Sequence, residues 1–175
     1  MYTFFVFVFL CFISCYSLSA QWVKCRDFQD PSVLYDLLAI NGNIYAATGN
    51  GVYTSNNNGN TWTESGLKYN PVTSIAANEQ YVYVGHQDGG LSVSNNNGIT
   101  WEKSSLPDSL DFETIAANGK DIFAATSNRL FHSTNNGINW KETNLRSGII
   151  RCIAIIEQNI YVGSSKGFFA STNNG

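Results

Sequence analysis

Ser55-Asn56-Asn57-Asn58-Gly59-Asn60-Thr61-Trp62 returns as Ser94-Asn95-Asn96-Asn97-Gly98-Ile99-Thr100-Trp101 and again as Ser133-Thr134-Asn135-Asn136-Gly137-Ile138-Asn139-Trp140. A fourth copy begins at Ser171-Thr172-Asn173-Asn174-Gly175. The serines lie 39, 39 and 38 residues apart, and self-similarity at a fixed period of roughly 20 to 50 residues marks a solenoid, a propeller or an array. Asn tolerates positive φ and Gly adopts it at no steric cost, so Asn-Asn-Gly between two apolar segments specifies a tight hairpin. The Trp opens the following strand, with a large apolar face and an indole N–H in need of an acceptor.

Four short strand candidates fall in each period. The first is Leu37–Ile40, matched by Ser74–Ala77, Thr114–Ala117 and Cys152–Ile155; the second is Ile44–Ala47, with Val82–Gly85, Ile122–Ala125 and Ile160–Gly163. The third is Val52–Ser55, with Leu91–Ser94, Leu130–Ser133 and Phe168–Ser171, and the fourth opens at the Trp. Small residues recur in the first two, as expected where sheets converge on a narrow axis. Four antiparallel strands per unit of about 40 residues predict an all-β chain, a β-propeller of four-stranded blades. A stacked solenoid is the alternative. Aligned on the tryptophans, Trp22-Val23-Lys24 matches Trp62-Thr63-Glu64, so the chain past its leader opens on the last strand of a repeat, which a solenoid does not explain.

The repeated motif resembles the Asp-box, or BNR repeat, of sialidase-like propellers, with Asn in place of the usual Asp. The resemblance extends over residues 21–175 and is similar to that of photosystem II assembly factor-like and xyloglucanase-like repeat proteins. It implies a structural role for Ser55, Asn57, Gly59 and Trp62, for Ser94, Asn96, Gly98 and Trp101, for Ser133, Asn135, Gly137 and Trp140, and for Ser171, Asn173 and Gly175. In the family these boxes lie away from the active site. Neutral amides are also poor ligands for hard cations, so no metal or cofactor is expected.

Residues 1–20 carry no charged side chain and run Phe4 to Ile13 without a polar residue before Ser17-Leu18-Ser19-Ala20. That is the pattern of a secretory signal peptide cut near Ala20. Phe12-Ile13-Ser14-Cys15 loosely resembles a lipobox, with Phe a departure at its first position. The expected division is a signal peptide over 1–20, an outer strand of a closing blade over 21–33, and blades over about 34–71, 72–110, 111–149 and 150–175, the last truncated. Propellers have about 4 to 8 blades and sialidase-like ones generally six or more. A piece of a longer reading frame is therefore expected, the alternative being a four-bladed ring in which Trp22 supplies the strand missing after Gly175. An open arc would expose an apolar flank and associate readily.

The composition, 43% hydrophobic and 14% aromatic with 13% charged, suits a packed core. Net charge is -3 and the ten basic residues are scattered, unlike the clustered basic face of a nucleic-acid binder. Twenty-one Asn and fifteen Gly follow largely from the repeated turns. After the leader, Cys25 and Cys152 remain. First and fourth strands of a sheet lie roughly 14 Å apart, beyond the about 7 Å a disulfide spans, so two free, mostly buried thiols are expected.

Catalytic signals are weak. A sialidase would need an arginine triad, and Arg26, Arg129, Arg146 and Arg151 occupy no equivalent positions. A glycosidase would need two facing carboxylates, and among Asp36, Asp88, Asp111 and Asp121 no pair stands out. His86-Gln87-Asp88-Gly89-Gly90 reads as a solvated hairpin turn, His132 as a surface or core-edge histidine, and Tyr81-Val82-Tyr83 and Phe168-Phe169 as blade core. The expected function is a secreted, periplasmic or cell-surface interaction module for a protein or carbohydrate, with part of a glycoside hydrolase as the alternative. No membrane span is expected after the signal is removed.

Overall fold

The computed structural model describes Cys25, Phe28, residues 33–173 and Gly175. The signal peptide and the Trp22 strand expected from the sequence lie outside these residues. The described chain contains fifteen strands and no helix. It forms four antiparallel sheets built from consecutive strands.

The first sheet holds β1 (Leu34–Ile40), β2 (Asn43–Thr48), β3 (Gly51–Ser55) and β4 (Thr63–Glu64). The second holds β5 (Val72–Ala77), β6 (Val82–His86), β7 (Leu91–Ser94) and β8 (Glu102–Lys103). In the third are β9 (Phe112–Asn118), β10 (Asp121–Thr126), β11 (Leu130–Ser133) and β12 (Lys141–Glu142). The fourth has three described strands, β13 (Ile150–Ile156), β14 (Asn159–Ser164) and β15 (Gly167–Ser171). Each outer strand starts one residue after the Trp, because the indole turns into the neighbouring sheet before pairing begins.

Side chains from both faces of the second and third sheets are buried, since each of these packs between two others. The first strands touch in series, β1 on β5, β5 on β9 and β9 on β13. They form the axial row, and the short outer strands form the rim. Three apolar clusters fill the three spaces between sheets. Val52 and Val72 share the first, Leu91 and Phe112 the second, Leu130 and Ile150 the third.

The β1–β2 type of turn and the repeated box lie at one end of every sheet. The β2–β3 type of turn and the linker to the next sheet lie at the other. Asn41 and Gly42, with φ of 51° and 75°, close the first of these hairpins in the left-handed geometry that Asn-Gly supplies.

The thiols are free, but the expectation that they are mostly buried is wrong, since Cys25 and Cys152 are both exposed. Cys152 is the register equivalent of Ser74, which is buried. Ser74 has an inner strand on each side, whereas among the described residues the inner strand packed closely beside β13 is β9. Phe168 departs from expectation for the same reason. It is 72% exposed, while its equivalents Val52, Leu91 and Leu130 are at most 2% exposed under the next sheet's first strand.

Candidate interaction surface around the axis

The repeated boxes use their polar atoms on themselves. Ser55 Oγ accepts the Gly59 N–H at 2.9 Å and donates to Asn57 Oδ1 at 3.0 Å. Asn57 Oδ1 also accepts the Thr61 N–H, and its Nδ2 donates to Thr61 Oγ1. Ser94, Asn96, Gly98 and Thr100 repeat these bonds. Ser133, Asn135, Gly137 and Asn139 repeat the backbone part, and Ser171, Asn173 and Gly175 the first two bonds. Asn58, Asn97 and Asn136 all have φ of 58°, the left-handed geometry that Asn tolerates.

The indoles join sheets. Trp101 Nε1 donates to Ser65 O in the linker of the preceding sheet at 2.6 Å. Trp140 Nε1 donates to Ser104 Oγ and to Gly137 O, both at 2.9 Å. Trp62 Nε1 donates to Gly59 O, and Phe28 packs edge-on against its ring with centroids 5.1 Å apart. The Ser and the central Asn of each loop spend their polar atoms on the loop itself, so the boxes lock the rim.

The opposite end of the sheets differs from one repeat to the next. Each first strand carries a bulge near its start, where one residue is skipped in the pairing with the second strand. The registers jump from Leu34 to Asp36, from Val72 to Ser74, from Phe112 to Thr114 and from Ile150 to Cys152. The residues left over are Tyr35, Thr73, Glu113 and Arg151. A bulge re-aims the extra side chain while the strand continues, so four neighbouring inner strands each present one such residue at the linker end of the axial row.

The residue before each bulge is apolar and the residue after it is short or weakly polar. At the bulge itself stand an aromatic, a hydroxyl, an acid and a base. Tyr35, Glu113 and Arg151 are exposed. Tyr35 donates through its hydroxyl to Gln87 Oε1 at 3.4 Å. Thr73 Oγ1 donates across the sheets to Phe112 O at 3.0 Å. Sequence reasoning missed these positions, although their spacing of 38, 40 and 38 residues was a readable signal. Period-two alternation breaks at a bulge, so the inner strands looked two or three residues shorter than they are.

The carboxylates and imidazoles singled out in the sequence do not converge. Asp36 accepts the Ile75 N–H through Oδ2 and the Leu37 N–H through Oδ1, tying β1 to β5. Asp121 Oδ1 lies 2.7 Å from His132 Nε2 on the outer part of the third sheet, where His132 stacks on Phe123 at 4.1 Å. Asp88 and Asp111 are exposed on the linker end. His86 is buried instead of solvated, with Nε2 2.7 Å from Ser92 Oγ and no partner for Nδ1. Burial, and then the Lys103 charge, push its pKa below the ordinary histidine value, with Asp108 pulling weakly the other way. The Ser92 hydroxyl is equally buried, so the pair is no nucleophile. Among the described residues no cluster of His, Cys, Asp and Glu has the arrangement of a metal site.

Repeated antiparallel sheets set around a common axis define a β-propeller. A profile of the DUF6242 beta propeller domain matches residues 72–175, and the chain belongs to that family. None of the curated proteins matches it. Among solved structures it is similar to an ancestral GH74 enzyme, with 24% identity and a TM-score of 0.72 over 83% of this chain and 24% of the other. It is also similar to YCF48 bound to D1 peptide, with 15% identity and a TM-score of 0.63 over 81% of this chain and 52% of the other. A third is the extracellular domain of BT4673 from B. thetaiotaomicron, with 18% identity and a TM-score of 0.66 over 81% of this chain and 20% of the other. At these identities the likeness is one of fold, and the chain spans between a fifth and about half of the length of these three proteins. Among the described residues no helix is long and apolar enough to cross a membrane.

Proposed function

We propose that this chain is an interaction module outside the cytoplasm, which binds a protein segment or a glycan through the bulged inner strands at the linker end of the axis. The observation that carries this reading is the contrast within one chain between an almost invariant frame and the chemically varied column Tyr35, Thr73, Glu113 and Arg151. An aromatic, an acid and a base exposed along one row of inner strands, the acid and base on neighbours and the aromatic beyond one intervening strand, supply stacking, acceptor and donor groups to one extended ligand. YCF48, a propeller of similar fold, is seen with a bound peptide, and BT4673 uses the fold in an extracellular domain. Both support the reading by analogy of fold.

In this reading the boxes are Asp-boxes in which Asn57, Asn96, Asn135 and Asn173 take the place of Asp. Residues 1–20 are a signal peptide, 21–33 an outer strand of a closing blade, and 34–175 the blades. The test is to screen the chain against a glycan array and a peptide library, then measure the ligands found on Tyr35→Ala, Glu113→Lys and Arg151→Glu. Binding should fall at least tenfold with melting temperature unchanged; ligands held equally well by all three variants would refute the assignment.

A second reading, part of a glycoside hydrolase, is favoured by the similarity to the GH74 enzyme. It requires two carboxylates across a sugar. Asp36 is occupied by backbone N–H groups, which leaves Glu113 on this face without a facing acid among the inner strands. Release of reducing sugar from xyloglucan that disappears in Glu113→Gln would favour this reading over the first.

A further inference from the structure

At the box end of the second sheet, the β5–β6 turn and the second box frame an open recess of about 430 Å³, lined by Glu79, Gln80, Tyr81, Asn95 and Asn97. The second sheet has a described sheet on each side, so the recess lies within the arc and not at a flank. Ligand sites commonly measure about 300–1,000 Å³, and this one is large enough for a single sugar ring. Glu79 and Gln80 also line a second recess of about 570 Å³, which has Ile40, Ala77 and Ala117 for its apolar part and Asn118 and Lys120 among its polar groups. The turn therefore stands as a ridge between two hollows.

Both rims are fixed by bonds that leave the lining side chains free. Asn78 Oδ1 accepts the Gln80 N–H at 3.0 Å and the Tyr81 N–H at 2.8 Å, while Asn78 Nδ2 donates to Gly119 O and Asn136 Oδ1 in the third sheet. On the box side, Asn96 is tied to Ser94 and Thr100, and Asn95 and Asn97 stand exposed before and after it. Tyr81 is half-buried, its ring tilted 33° against that of Tyr83 with centroids 6.3 Å apart. The side chains of Glu79, Gln80, Asn95 and Asn97 form no hydrogen bond or ion pair with other described residues. The equivalent turns Asn41-Gly42-Asn43, Gly119-Lys120-Asp121 and Glu157-Gln158-Asn159 carry no aromatic, so the combination belongs to the second sheet.

We propose that this recess is a further binding site, for an uncharged oligosaccharide, at the opposite end of the sheets from the bulged inner strands and independent of the function assigned to them. A sugar hydroxyl both donates and accepts, and so does a primary amide, while a carboxylate takes two donors at once; Gln80, Asn95, Asn97 and Glu79 provide that mixture. Tyr81 offers an aromatic surface with a polar tip to the C–H face of the ring. The ridge of Glu79 and Gln80 lets a second sugar unit continue into the neighbouring hollow. An anionic ligand would meet the Glu79 carboxylate and no base among the five lining residues. A peptide adding as a strand needs unpaired backbone groups, and the N–H groups of this turn are already bound to Asn78. Rigid rims reduce the ordering cost of binding.

The test is to titrate the nitrogen-labelled chain with cellotetraose, xylotetraose, mannotetraose and maltotetraose, with hyaluronan tetrasaccharide as the charged comparison, and to follow the side-chain amide signals of Gln80, Asn95 and Asn97. At least one of the four uncharged sugars should move them, and hyaluronan should not. Tyr81→Leu and Asn95→Ala should each weaken that binding at least fivefold with melting temperature unchanged, whereas Tyr81→Phe, which keeps the ring, should bind within twofold of the unsubstituted chain. Tyr35→Ala and Arg151→Glu, at the linker end, should leave it unaltered. The proposal is overturned if none of the four sugars moves these signals, if hyaluronan moves them as strongly, or if binding survives both Tyr81→Leu and Asn95→Ala. Binding lost with Arg151→Glu and kept with Tyr81→Leu would place the sugar at the linker end, which sinks this site and upholds the other.

Discussion

Individual residues of this fold hold their places through contacts the sequence announces unevenly. Ser94 and Asn96 were legible because their pattern recurs, and their bonds are local. Ser94→Ala removes the acceptor of the Gly98 N–H in a buried spot, and a lost buried partner costs about 1–3 kcal/mol; thermal unfolding should reveal it. Gly89 was not legible as a packing residue. Its φ is +96°, and an added Cβ would stand 2.0 Å from Asp108 O, so Gly89→Ala should lower the melting temperature more than Gly119→Ala, where nothing lies within 4 Å. His86 read as a solvated turn residue because its neighbours Gln87 and Asp88 are polar. Its side chain is instead buried, as is every residue of β6, because the second sheet is covered on both faces. With a folded pKa below the unfolded value, the neutral ring stabilises the fold above about pH 6.5, and that contribution is lost as pH falls through the folded pKa. Melting temperature should therefore drop on acidification below this value, and His86→Gln should flatten the dependence.

At the scale of the element, the second and third strands follow from composition almost directly. Ile, Val, Tyr and Phe alternate there with small residues, and such side chains suit a pleated, packed surface. The inner strands were harder, since β9 runs Phe112–Asn118 where only Thr114–Ala117 showed a strand pattern. The bulge at Glu113 displaces the alternation by one residue, so an apolar side chain on the far side of it falls out of phase. The candidate surface was hidden by the same slip. Deleting Glu113 should regularise the pairing of β9 with β10 while shifting Phe112 off its buried site. We expect a fold destabilised by about 1–3 kcal/mol, as for a strained core, in urea titrations. Glu113→Lys at the same place should leave stability within about 0.5 kcal/mol.

Over the whole molecule, stability is a sum of sheets and of the contacts between successive ones, as in other repeat architectures. The second and third sheets are packed on both sides; the first and fourth on one. Native-state hydrogen exchange should accordingly protect Val84 and Phe123 most and β15 of the isolated chain least. Replacing Trp101 by Ala removes packing between sheets as well as the bond to Ser65 O. The cost should approach the about 3–5 kcal/mol typical of buried Trp→Ala changes, reduced by the partial exposure of the ring. The repeat count, sheet composition and strand order were all present in the spacing of the boxes. An exposed apolar flank was expected as well; what lay beyond the sequence was which residues carry it, because burial at Phe168 and Leu34 depends on a neighbour that a period in the sequence does not place.

The hydrogen bond from Trp101 to the linker of the sheet before it has a bearing on how such a chain can be lengthened. A block of residues copied from one inner strand to the end of its own sheet would carry a tryptophan whose anchor belongs to a different block, yet any identical block ahead of it supplies that anchor. Tandem duplication is therefore self-consistent at every internal junction. Only the outermost units bear the mismatch, which concentrates any selective or engineering pressure for a stopper, a clasp or a companion molecule at the two extremities.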